Sequence, residues 1–408
     1  MNNRAGFFGF VLLLTVLIAG TAAAPPRVRG AGTDTFQPFQ IVVGLLPGSD
    51  INAFNARHQT SIIEQLAGAD QYLLAIPPGS RVEDKVTETS LDPVTAFSGP
   101  NFNFKAPEIR QTSAAFVDQT SAAFVDGQSP PKFYGQPSIN NLHLAEAQQV
   151  TRGAGVRVAV IDTGLDFNHP LLAGHIVYPV YDFVDNDGDP SEAPGGRGYG
   201  HGTFVAGLIN LTAPDAGIMP LRAFDQNGQG TSFNIAKAIR FATDNGAQII
   251  NMSFGLLAED KLIKDALNYA YESVYMVAAA GNDNQNAIHY PADEKSKTFS
   301  VTSVGNNDVK ASFANYNTDI QSCAPGVSLY SAWPGGRWAT WSGTSFSTAL
   351  VTGEAALLLT VNPQANRSLL NQTIVNSGVN VNTQNPAFKG RLGVRIDYLA
   401  AVNLMLTR

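Results

Sequence analysis

From residue 132 onward, short apolar runs alternate with amphipathic or small-residue stretches. The apolar runs are nearly continuous, which is typical of strands whose two faces are both covered. Alternation of such strands with helices predicts an α/β domain built on a doubly wound, mainly parallel sheet, with any site at the carboxyl ends of the strands. We predict strands at 156–161, 217–222, 247–253, 273–279, 298–304 and 319–324, and helices at 202–211, 232–245, 258–272 and 345–360.

The last predicted helix begins at Ser345. Phe346, Ala349, Leu350 and Gly353 recur at helical spacing, and the opposite side is small rather than charged, so this helix should be buried. The N-terminus of a helix carries unpaired N–H groups and the positive end of the helix dipole, where a developing anion is stabilised. Taken alone, Ser345 is most simply an N-cap residue.

Three more polar residues lie at comparable positions. Asp162 follows the strand that ends at Ile161, His201 opens a helix, and Asn282 follows the predicted strand 273–279. A serine hydroxyl becomes a useful nucleophile when a histidine takes its proton, and a carboxylate on the other ring nitrogen fixes the tautomer. An amide side chain and the backbone N–H of Ser345 would together hold an oxyanion. The four residues therefore favour acyl transfer by a serine nucleophile.

Each residue alone has a plainer interpretation. Asp162-Thr163-Gly164 fits a turn after a strand, and it also matches half of the site of pepsin-like proteases, which need two such motifs on an all-β fold. An α/β-hydrolase esterase needs Gly-x-Ser-x-Gly and the order Ser, Asp, His, but Ser347 replaces the last glycine here. A non-catalytic peptide-binding protein would not need all four residues. Acyl transfer by a serine nucleophile accounts for the set best.

Charge and cysteine content exclude several classes of protein. The formal net charge is −7, so the chain has no basic excess to neutralise nucleic-acid phosphates. Its one cysteine, Cys323, excludes an intramolecular disulfide and a cysteine-rich zinc site. We expect Cys323 to be a small buried side chain.

The N-terminus has the pattern of an export signal. Arg4 precedes an apolar run at 7–19, and small residues at 22–24 offer a cleavage site. We therefore predict a signal peptide at 1–24 and a secreted or periplasmic protein. No stable membrane insertion is expected after the signal is removed.

Two regions precede the catalytic domain, which we place at 132–408. Residues 35–104 have the predicted order β-α-β-β-α-β, with a last strand at 93–97, which favours a small α+β ferredoxin-like domain. Residues 105–131 are predicted to be a linker. They contain two identical octapeptides, Gln-Thr-Ser-Ala-Ala-Phe-Val-Asp, at 111–118 and 119–126. Two copies are too few for a solenoid, so we interpret them as a small duplication in a tolerant loop.

The motifs Asp162-Thr-Gly, His201-Gly-Thr and Gly343-Thr-Ser345 occur in the chain order of the subtilisin-like serine proteases, which the chain resembles over 132–402. The resemblance implies the subtilisin-like fold and a secreted serine endopeptidase that needs no cofactor. It assigns Ser345 as nucleophile, His201 as base, Asp162 as its orienting partner and Asn282 as oxyanion donor. It also implies that residues 35–104 are an inhibitory propeptide and that the precursor cuts itself.

The same resemblance implies where protein or peptide substrates bind. An extended substrate would lie between two edges of the cleft, with a pocket for the residue before the cut. The first edge is Ser253, Phe254 and Gly255, the second is Gly228 to Gly230, and the pocket is lined by Ala279, Ala280 and Gly281. The chain departs from the family pattern where Phe204 replaces a second histidine, and where Phe346 and Ala349 replace Met and Pro. Leu256 stands where a further glycine is common, which affects the expected subsite shape.

An acidic loop carries Asp185, Asp187 and Asp189 at the spacing of a calcium loop. An EF-hand would also need Gly at its sixth position and Glu at its twelfth, where this chain has Pro190 and Gly196. Relatives in the resembled family often bind calcium in such loops. We favour a solvated loop and keep a structural calcium ion as the alternative.

Overall fold

The protein is described by a computed structural model that covers residues 36–106, 108, 123–125, 130–256 and 258–408. The predicted signal peptide at 1–24 and the first octapeptide at 111–118 lie outside these residues.

Residues 36–105 form an N-terminal unit of strands and helices in the predicted order. The elements are β1 (Phe36–Leu45), α1 (Ile51–His58), β2 (Ser61–Gln65), β3 (Gln71–Ala75), α2 (Val82–Ser90) and β4 (Thr95–Lys105). Neighbouring strands are antiparallel in the order β2-β3-β1-β4. The carboxylate of Asp50 accepts hydrogen bonds from the backbone N–H groups of Asn52 and Ala53, which makes it the N-cap of α1.

Strand β4 is longer than the predicted strand 93–97. It continues to Lys105, across the predicted boundary between the unit and the linker. The extension pairs with a short strand of the catalytic domain at Gln229–Thr231. The prediction of the strand end was wrong because the partner that extends β4 lies more than 120 residues further along the chain.

The strands and helices predicted from residue 132 onward are present in the catalytic domain, with changes at some of their ends. The linker supplies β5 (Phe124–Val125), and the strands of the catalytic domain are β6 (Arg157–Asp162), β7 (Tyr181–Asp182), β8 (Gly217–Arg222), β9 (Gln229–Thr231), β10 (Ile249–Met252), β11 (Tyr275–Ala279), β12 (Thr298–Val304), β13 (Ser322–Pro325), β14 (Leu329–Trp333), β15 (Arg337–Trp341), β16 (Val379–Asn380) and β17 (Val394–Arg395). Its α-helices are α3 (Pro130–Tyr134), α4 (Leu144–Val150), α5 (His201–Thr212), α6 (Ser232–Asp244), α7 (Lys261–Ala270), α8 (Thr344–Val361), α9 (Arg367–Ser377) and α10 (Tyr398–Met405).

Two predicted elements begin three residues later than the sequence pattern indicates. Helix α7 starts at Lys261 rather than at 258, because Asp260 is extended and its side chain accepts the backbone N–H of Ile263 as an N-cap. Strand β13 starts at Ser322 rather than at 319, because Asn317 to Ile320 form a turn closed by a hydrogen bond from the backbone N–H of Ile320 to the carbonyl of Asn317.

The central sheet confirms the predicted α/β architecture. Within the described residues its strand order is β16-β17-β13-β12-β11-β10-β6-β8-β7. Every neighbouring pair is parallel except β16 with β17. The chain runs from β6 outward to β8 and then back past β6 to β10, so the order reverses at β6. Such a reversal opens a crevice at the carboxyl end of the strands.

Both faces of the central sheet are covered, as its continuous apolar strands predict. In β6, Val158 and Val160 point into a core with α5 and α8, whereas Ala159 and Ile161 point into a core with α6 and α7. Helix α8 is long and apolar enough to cross a membrane, but 89% of it is buried inside the protein. It is therefore the central helix of the core, as predicted for the helix that begins beside Ser345.

The N-terminal unit lies on the outer side of helices α6 and α7. Lys237 of α6 forms an ion pair with Glu64 of β2, and Asp265 of α7 accepts a hydrogen bond of 3.0 Å from the side chain of Gln71. This position directs β4 towards the carboxyl end of the central sheet.

Candidate active site

Asp162 and His201 come together at the carboxyl end of β6. Asp162 is the last residue of β6 and His201 is the first residue of α5. The Asp162 Oδ1 atom lies 2.7 Å from His201 Nδ1, and both side chains are buried. Because an ionised carboxylate can only accept a hydrogen bond, Nδ1 of His201 must carry a proton. The other ring nitrogen, Nε2, points towards the region around Ser345.

Helix α5 approaches the loop after β6 so closely that Gly202 leaves no room for a side chain. A Cβ atom at Gly202 would lie 2.1 Å from the carbonyl oxygen of Gly164. The hydroxyl of Thr163 accepts the backbone N–H of Gly202 at 3.0 Å. The Gly that follows His201 therefore sets the close contact between the helix start and the strand end.

Ser345 is fully buried in the first turn of α8, as the sequence predicts. Its hydroxyl lies 3.1 Å from the carbonyl oxygen of Ser253, and the Ser253 hydroxyl donates to the carbonyl oxygen of Ser345 at 3.1 Å. Asn251 donates to the Ser253 hydroxyl and accepts from Thr352 of α8, both at 2.8 Å. This network fixes the start of α8 against the end of β10.

The side chain of Asn282 faces the start of α8. Its Oδ1 atom accepts from the backbone N–H and the hydroxyl of Thr344, at 3.0 and 2.8 Å. These two bonds settle the orientation of the amide and leave the Nδ2 donor directed at the site. Ala279, Ala280 and Gly281 connect β11 to Asn282, and both alanines are buried. That these three residues line a substrate pocket stays a prediction.

His201, Ser345 and Asn282 meet at a further side chain, the carboxylate of Glu108. Its Oε2 atom accepts from the hydroxyl of Ser345 at 2.8 Å and lies 3.0 Å from His201 Nε2. Its Oε1 atom accepts from the backbone N–H of Ser345 at 3.2 Å and from Asn282 Nδ2 at 3.1 Å. Glu108 is buried, so this carboxylate is held entirely by the site. One oxygen thus occupies a position served by two N–H donors, which is the geometry that stabilises an oxyanion.

Glu108 changes the protonation state of His201. Both ring nitrogens face carboxylate oxygens, so both must carry protons. Burial by itself would lower the pKa of His201, but the charges and hydrogen bonds of Asp162 and Glu108 outweigh it and raise the pKa well above 6.5. Burial likewise opposes ionisation of Glu108, whereas its hydrogen bonds with His201 and Ser345 lower the pKa below 4.5. An imidazolium has no lone pair to accept a proton from Ser345.

The residues before Glu108 lie in the predicted substrate cleft. Asn103, Phe104 and Lys105 pair antiparallel with Thr231, Gly230 and Gln229 of β9. On the opposite side, the backbone N–H of Gly255 donates to the carbonyl of Lys105 at 3.2 Å. The two edges named from the sequence, Ser253 to Gly255 and Gly228 to Gly230, are therefore the two sides of one groove. It holds an extended segment of the chain itself.

Phe104 is the anchor of that segment. It is completely buried, and its ring meets the ring of Phe254 edge to face at 6.2 Å between centroids. Phe254 in turn contacts Phe224 at 4.9 Å. An aromatic side chain thus fills an apolar pocket at the distal end of the groove.

Gly343 makes room for the oxygen held by Asn282. A Cβ atom at this position would lie 1.9 Å from Glu108 Oε1. Any other residue would fill the place that Glu108 Oε1 occupies, which explains a glycine two residues before Ser345.

Two of the departures from the subtilisin-like pattern are in contact with each other. The rings of Phe204 and Phe346 lie 4.4 Å apart, and the ring of Phe346 lies 5.5 Å from that of His201. Trp341 approaches His201 edge to face at 5.6 Å. These rings form an apolar surface against the imidazole of His201.

Sequence reasoning missed Glu192, which joins the Asp162 loop to the His201 helix. Its carboxylate accepts from the backbone N–H groups of Gly200 at 2.8 Å and Thr203 at 3.0 Å. The hydroxyl of Thr163 lies 3.3 Å from both of its oxygens. Burial is the main cause that raises the pKa of Glu192 to about 7, and the charge of Asp162 adds to it. No local sequence pattern identifies Glu192, because its partners lie in the loop after β6 and at the start of α5.

Replacing Glu192 by glutamine should change how stability depends on pH. The pKa of Glu192 rises on folding, so the folded protein binds more protons than the unfolded chain between about pH 4.5 and 7. Its contribution to the free energy of unfolding is therefore present below that window and is lost as the pH rises through it. Wild type should lose stability relative to Glu192→Gln over this range. Thermal unfolding of both chains in a Ser345→Ala background would measure this, and a constant difference across the range would contradict it.

A serine, a histidine and an aspartate held in this way on a mainly parallel α/β sheet define a serine hydrolase of the triad class. Residues 153–394 match the model of the subtilase family of peptidases, Peptidase S8, and the chain belongs to that family. It is therefore a subtilisin-like serine endopeptidase, as the sequence motifs indicate.

Individual relatives agree with this assignment. Thermitase of Thermoactinomyces vulgaris is 39% identical over 236 residues, which cover 55% of this chain and 81% of that protein. Subtilisin DY of Bacillus licheniformis is 34% identical over 275 residues, covering 64% and 96%. Fervidolysin of Fervidobacterium pennivorans, a keratinolytic enzyme related to subtilisin, superimposes with a TM-score of 0.73 at 24% identity. That superposition covers 91% of this chain and 62% of fervidolysin, and it supports the fold alone.

Proposed function

We propose that the protein is a secreted endopeptidase that hydrolyses peptide bonds through Ser345, His201 and Asp162. Ser345 attacks the peptide carbonyl while neutral His201 takes its proton, and His201 then returns the proton to the leaving amine. Asp162 holds the imidazole in the required tautomer. Asn282 and the backbone N–H of Ser345 hold the oxyanion, as they hold Glu108 Oε1.

The substrate binds as an extended strand between β9 and the segment Ser253–Gly255. The groove already holds residues 103–106 in this way, including a hydrogen bond of 3.2 Å from the backbone N–H of Ala106 to the carbonyl of Gly228. Main-chain pairing supplies affinity without regard to sequence, whereas the pocket around Phe254 favours an aromatic side chain. The substrates are therefore proteins or peptides with an accessible extended segment.

The chain is made as a precursor that its own N-terminal region inhibits. The single observation that carries this proposal is the Glu108 carboxylate, which engages Ser345, His201 and Asn282 together. It occupies the oxyanion position and holds His201 as the imidazolium, so nucleophile, base and oxyanion site are blocked at once. The tether to the catalytic domain gives the unit a high effective concentration at the cleft.

Self-processing is tested by comparing wild type with Ser345→Ala. We expect wild type to cut itself between Phe104 and Gly135, and the signal peptide at 1–24 to be removed during export from both proteins. Mass spectrometry of the secreted products should then show that wild type has lost roughly the first hundred residues or more, while Ser345→Ala keeps everything after the signal. Equal processing of both would show that another protease makes the cut.

Replacing Glu108 by glutamine should weaken inhibition by the N-terminal unit. The change removes the charge that His201 and Asn282 bind, and hydrogen bonds to charged groups contribute about 1.5–3 kcal/mol. The inhibition constant of residues 25–108 added to the mature enzyme should therefore rise roughly 10- to 100-fold. Residues 25–104, which lack Glu108, should still inhibit but more weakly. Glu83→Gln is the matched control, because Glu83 is an exposed residue of α2. An unchanged constant for Glu108→Gln would remove its assigned role.

The contacts of the acidic loop favour a loop held by protein side chains over a calcium site. Arg222 forms ion pairs with both Asp182 and Asp185, whereas Asp187 caps the backbone N–H of Asp189 at 2.9 Å. No group of three or more His, Cys, Asp or Glu side chains in the described part of the chain is arranged to hold a metal ion. We therefore propose that Arg222 holds this loop, and that no calcium ion is required.

A chelator should accordingly leave the thermal midpoint of the mature enzyme unchanged, and added calcium should not raise it. Arg222→Met should lower the midpoint, because it leaves buried Asp182 without its partner. If the midpoint falls in chelator and calcium restores it by binding linkage, Asp185, Asp187 and Asp189 do hold the ion.

A further inference from the structure

The edge of β15 carries a short strand supplied by the linker. Phe124 and Val125 of β5 pair antiparallel with Thr340 and Ala339. The other edge of β15 pairs with β14, so β5 completes a small three-stranded sheet. Val125 is half-buried against the main core, and its partner Ala339 is fully buried. The contact is therefore a packed strand addition.

The docked strand belongs to the second of the two identical octapeptides. Phe124 and Val125 stand at the sixth and seventh positions of copy 119–126, and Phe116 and Val117 stand at the same positions of copy 111–118. Side chains of a strand alternate between faces with a period of two. If the linker moved by eight residues along β15, each side chain of the docked octapeptide would be replaced by an identical side chain on the same face of the strand. Register is normally fixed by the side-chain pattern, and here that pattern is the same in both registers.

The first copy has enough chain to reach the same edge. Thr340 precedes Ser345 by five residues, which span about 18 Å at most. The true span is shorter, because Thr344 and Ser345 are already in helix α8. Glu108 contacts Ser345, and the eight steps from Glu108 to Phe116 reach roughly 28 Å. Docking by the first copy leaves a shorter tether than docking by the second, and the cost of closing a flexible loop depends only weakly on its length.

We propose that the edge of β15 is an acceptor site for an Ala-Ala-Phe-Val strand and that either octapeptide of the linker fills it. The duplication then does more than lengthen a tolerant loop. It provides two interchangeable anchors, with seven or fifteen residues between Glu108 and the docked phenylalanine. Because β15 leads through Trp341 into the turn before Ser345, each anchor attaches the linker to the hairpin that presents the nucleophile.

Disulfide trapping distinguishes the two registers. Ala339→Cys would be combined with Val125→Cys in one chain and with Val117→Cys in another, both as full-length Ser345→Ala precursors that cannot cut themselves. Directly opposed residues of antiparallel strands have Cα atoms 4.5–5.5 Å apart, within the range that a disulfide spans. Native Cys323 is fully buried and stays in place. Ala339→Cys with Leu91→Cys, at an exposed site of the N-terminal unit, measures random oxidation.

We expect both the 125–339 and the 117–339 pairs to link well above the Leu91 control, with yields within about threefold of each other after mild oxidation and peptide mapping. Linking of one pair alone would show that a single copy docks and would overturn the proposal. Linking of neither would overturn the strand addition itself.

A single-copy chain provides a second measurement. Deleting 111–118 or 119–126 leaves the same sequence, so one variant represents both deletions. With the valine of its remaining Ala-Ala-Phe-Val segment replaced by cysteine, this variant should cross-link to Ala339→Cys with the yield of the second copy in the full chain. A loss of linking in this variant would show that the edge requires the longer tether, which contradicts interchangeable docking.

Discussion

Replacing Ser345 by alanine should lower kcat for peptide hydrolysis by roughly a millionfold, the size of the loss when subtilisin loses its catalytic serine. The change removes one oxygen, and that oxygen is the nucleophile. His201→Ala should cost about as much, because Ser345 cannot attack unless its proton is accepted. The double variant should be no worse than either single variant, since the residues act as a unit. Because these variants should not process themselves, all the chains would be produced directly at the mature length, and a peptide substrate would give the three rates.

Ser347→Ala is the matched control for this experiment. Ser347 lies two residues further along α8, and its hydroxyl contacts Ser303 and the carbonyls of Ala324 and Pro325. Its loss should lower the thermal midpoint through unpaired buried groups while leaving kcat within a few-fold of wild type. Ser345→Ala should show the opposite combination. Near-normal turnover in folded Ser345→Ala would refute the proposed mechanism.

The sequence predicts the catalytic framework because its determinants are local. Asp162 ends a strand, and His201 and Ser345 stand at the start of helices. The spacing of the apolar residues identifies each of these elements in the sequence. In a parallel sheet the carboxyl ends of neighbouring strands meet at one edge, so order along the chain is enough to bring these residues together. The same reasoning places Asn282 after β11.

Glu108 could not be predicted in this way. It stands between Pro107 and Ile109 in the predicted linker, where no periodic pattern of apolar residues predicts burial. Its place results from the extension of β4 along β9, which depends on contacts between the N-terminal unit and helices α6 and α7. The pairing of β5 with β15 is likewise a tertiary contact between two short segments more than 200 residues apart. Strand partners distant in sequence leave no local period to recognise.

Asn282→Ala should lower kcat by roughly 10²- to 10³-fold, the range found when subtilisin loses its oxyanion-hole asparagine. Asn282 Nδ2 and the backbone N–H of Ser345 reach the same oxygen, Glu108 Oε1, at 3.1 and 3.2 Å. In the proposed mechanism that position belongs to the oxyanion, which forms only as the transition state is approached. The KM should therefore change little, because the missing bond was not made to the bound substrate.

Thr344→Val separates the donor from its orientation. The Thr344 hydroxyl is one of two groups that hold Asn282 Oδ1, and its backbone N–H remains in the variant. We expect a loss of less than tenfold in kcat, since the amide keeps one of its two anchors. Steady-state kinetics of the mature variants would measure both effects. An increase in KM alone for Asn282→Ala would place the side chain in substrate binding instead.

Asn282→Ala should also weaken inhibition by residues 25–108. The amide that stabilises the oxyanion is the one that donates to the Glu108 carboxylate, so one substitution removes a contact from both complexes. Inhibition by residues 25–104, which lack Glu108, should be affected much less. If the loss of inhibition were equal for the two fragments, Glu108 would not act through the oxyanion site, and the proposal that it blocks catalysis there would fail.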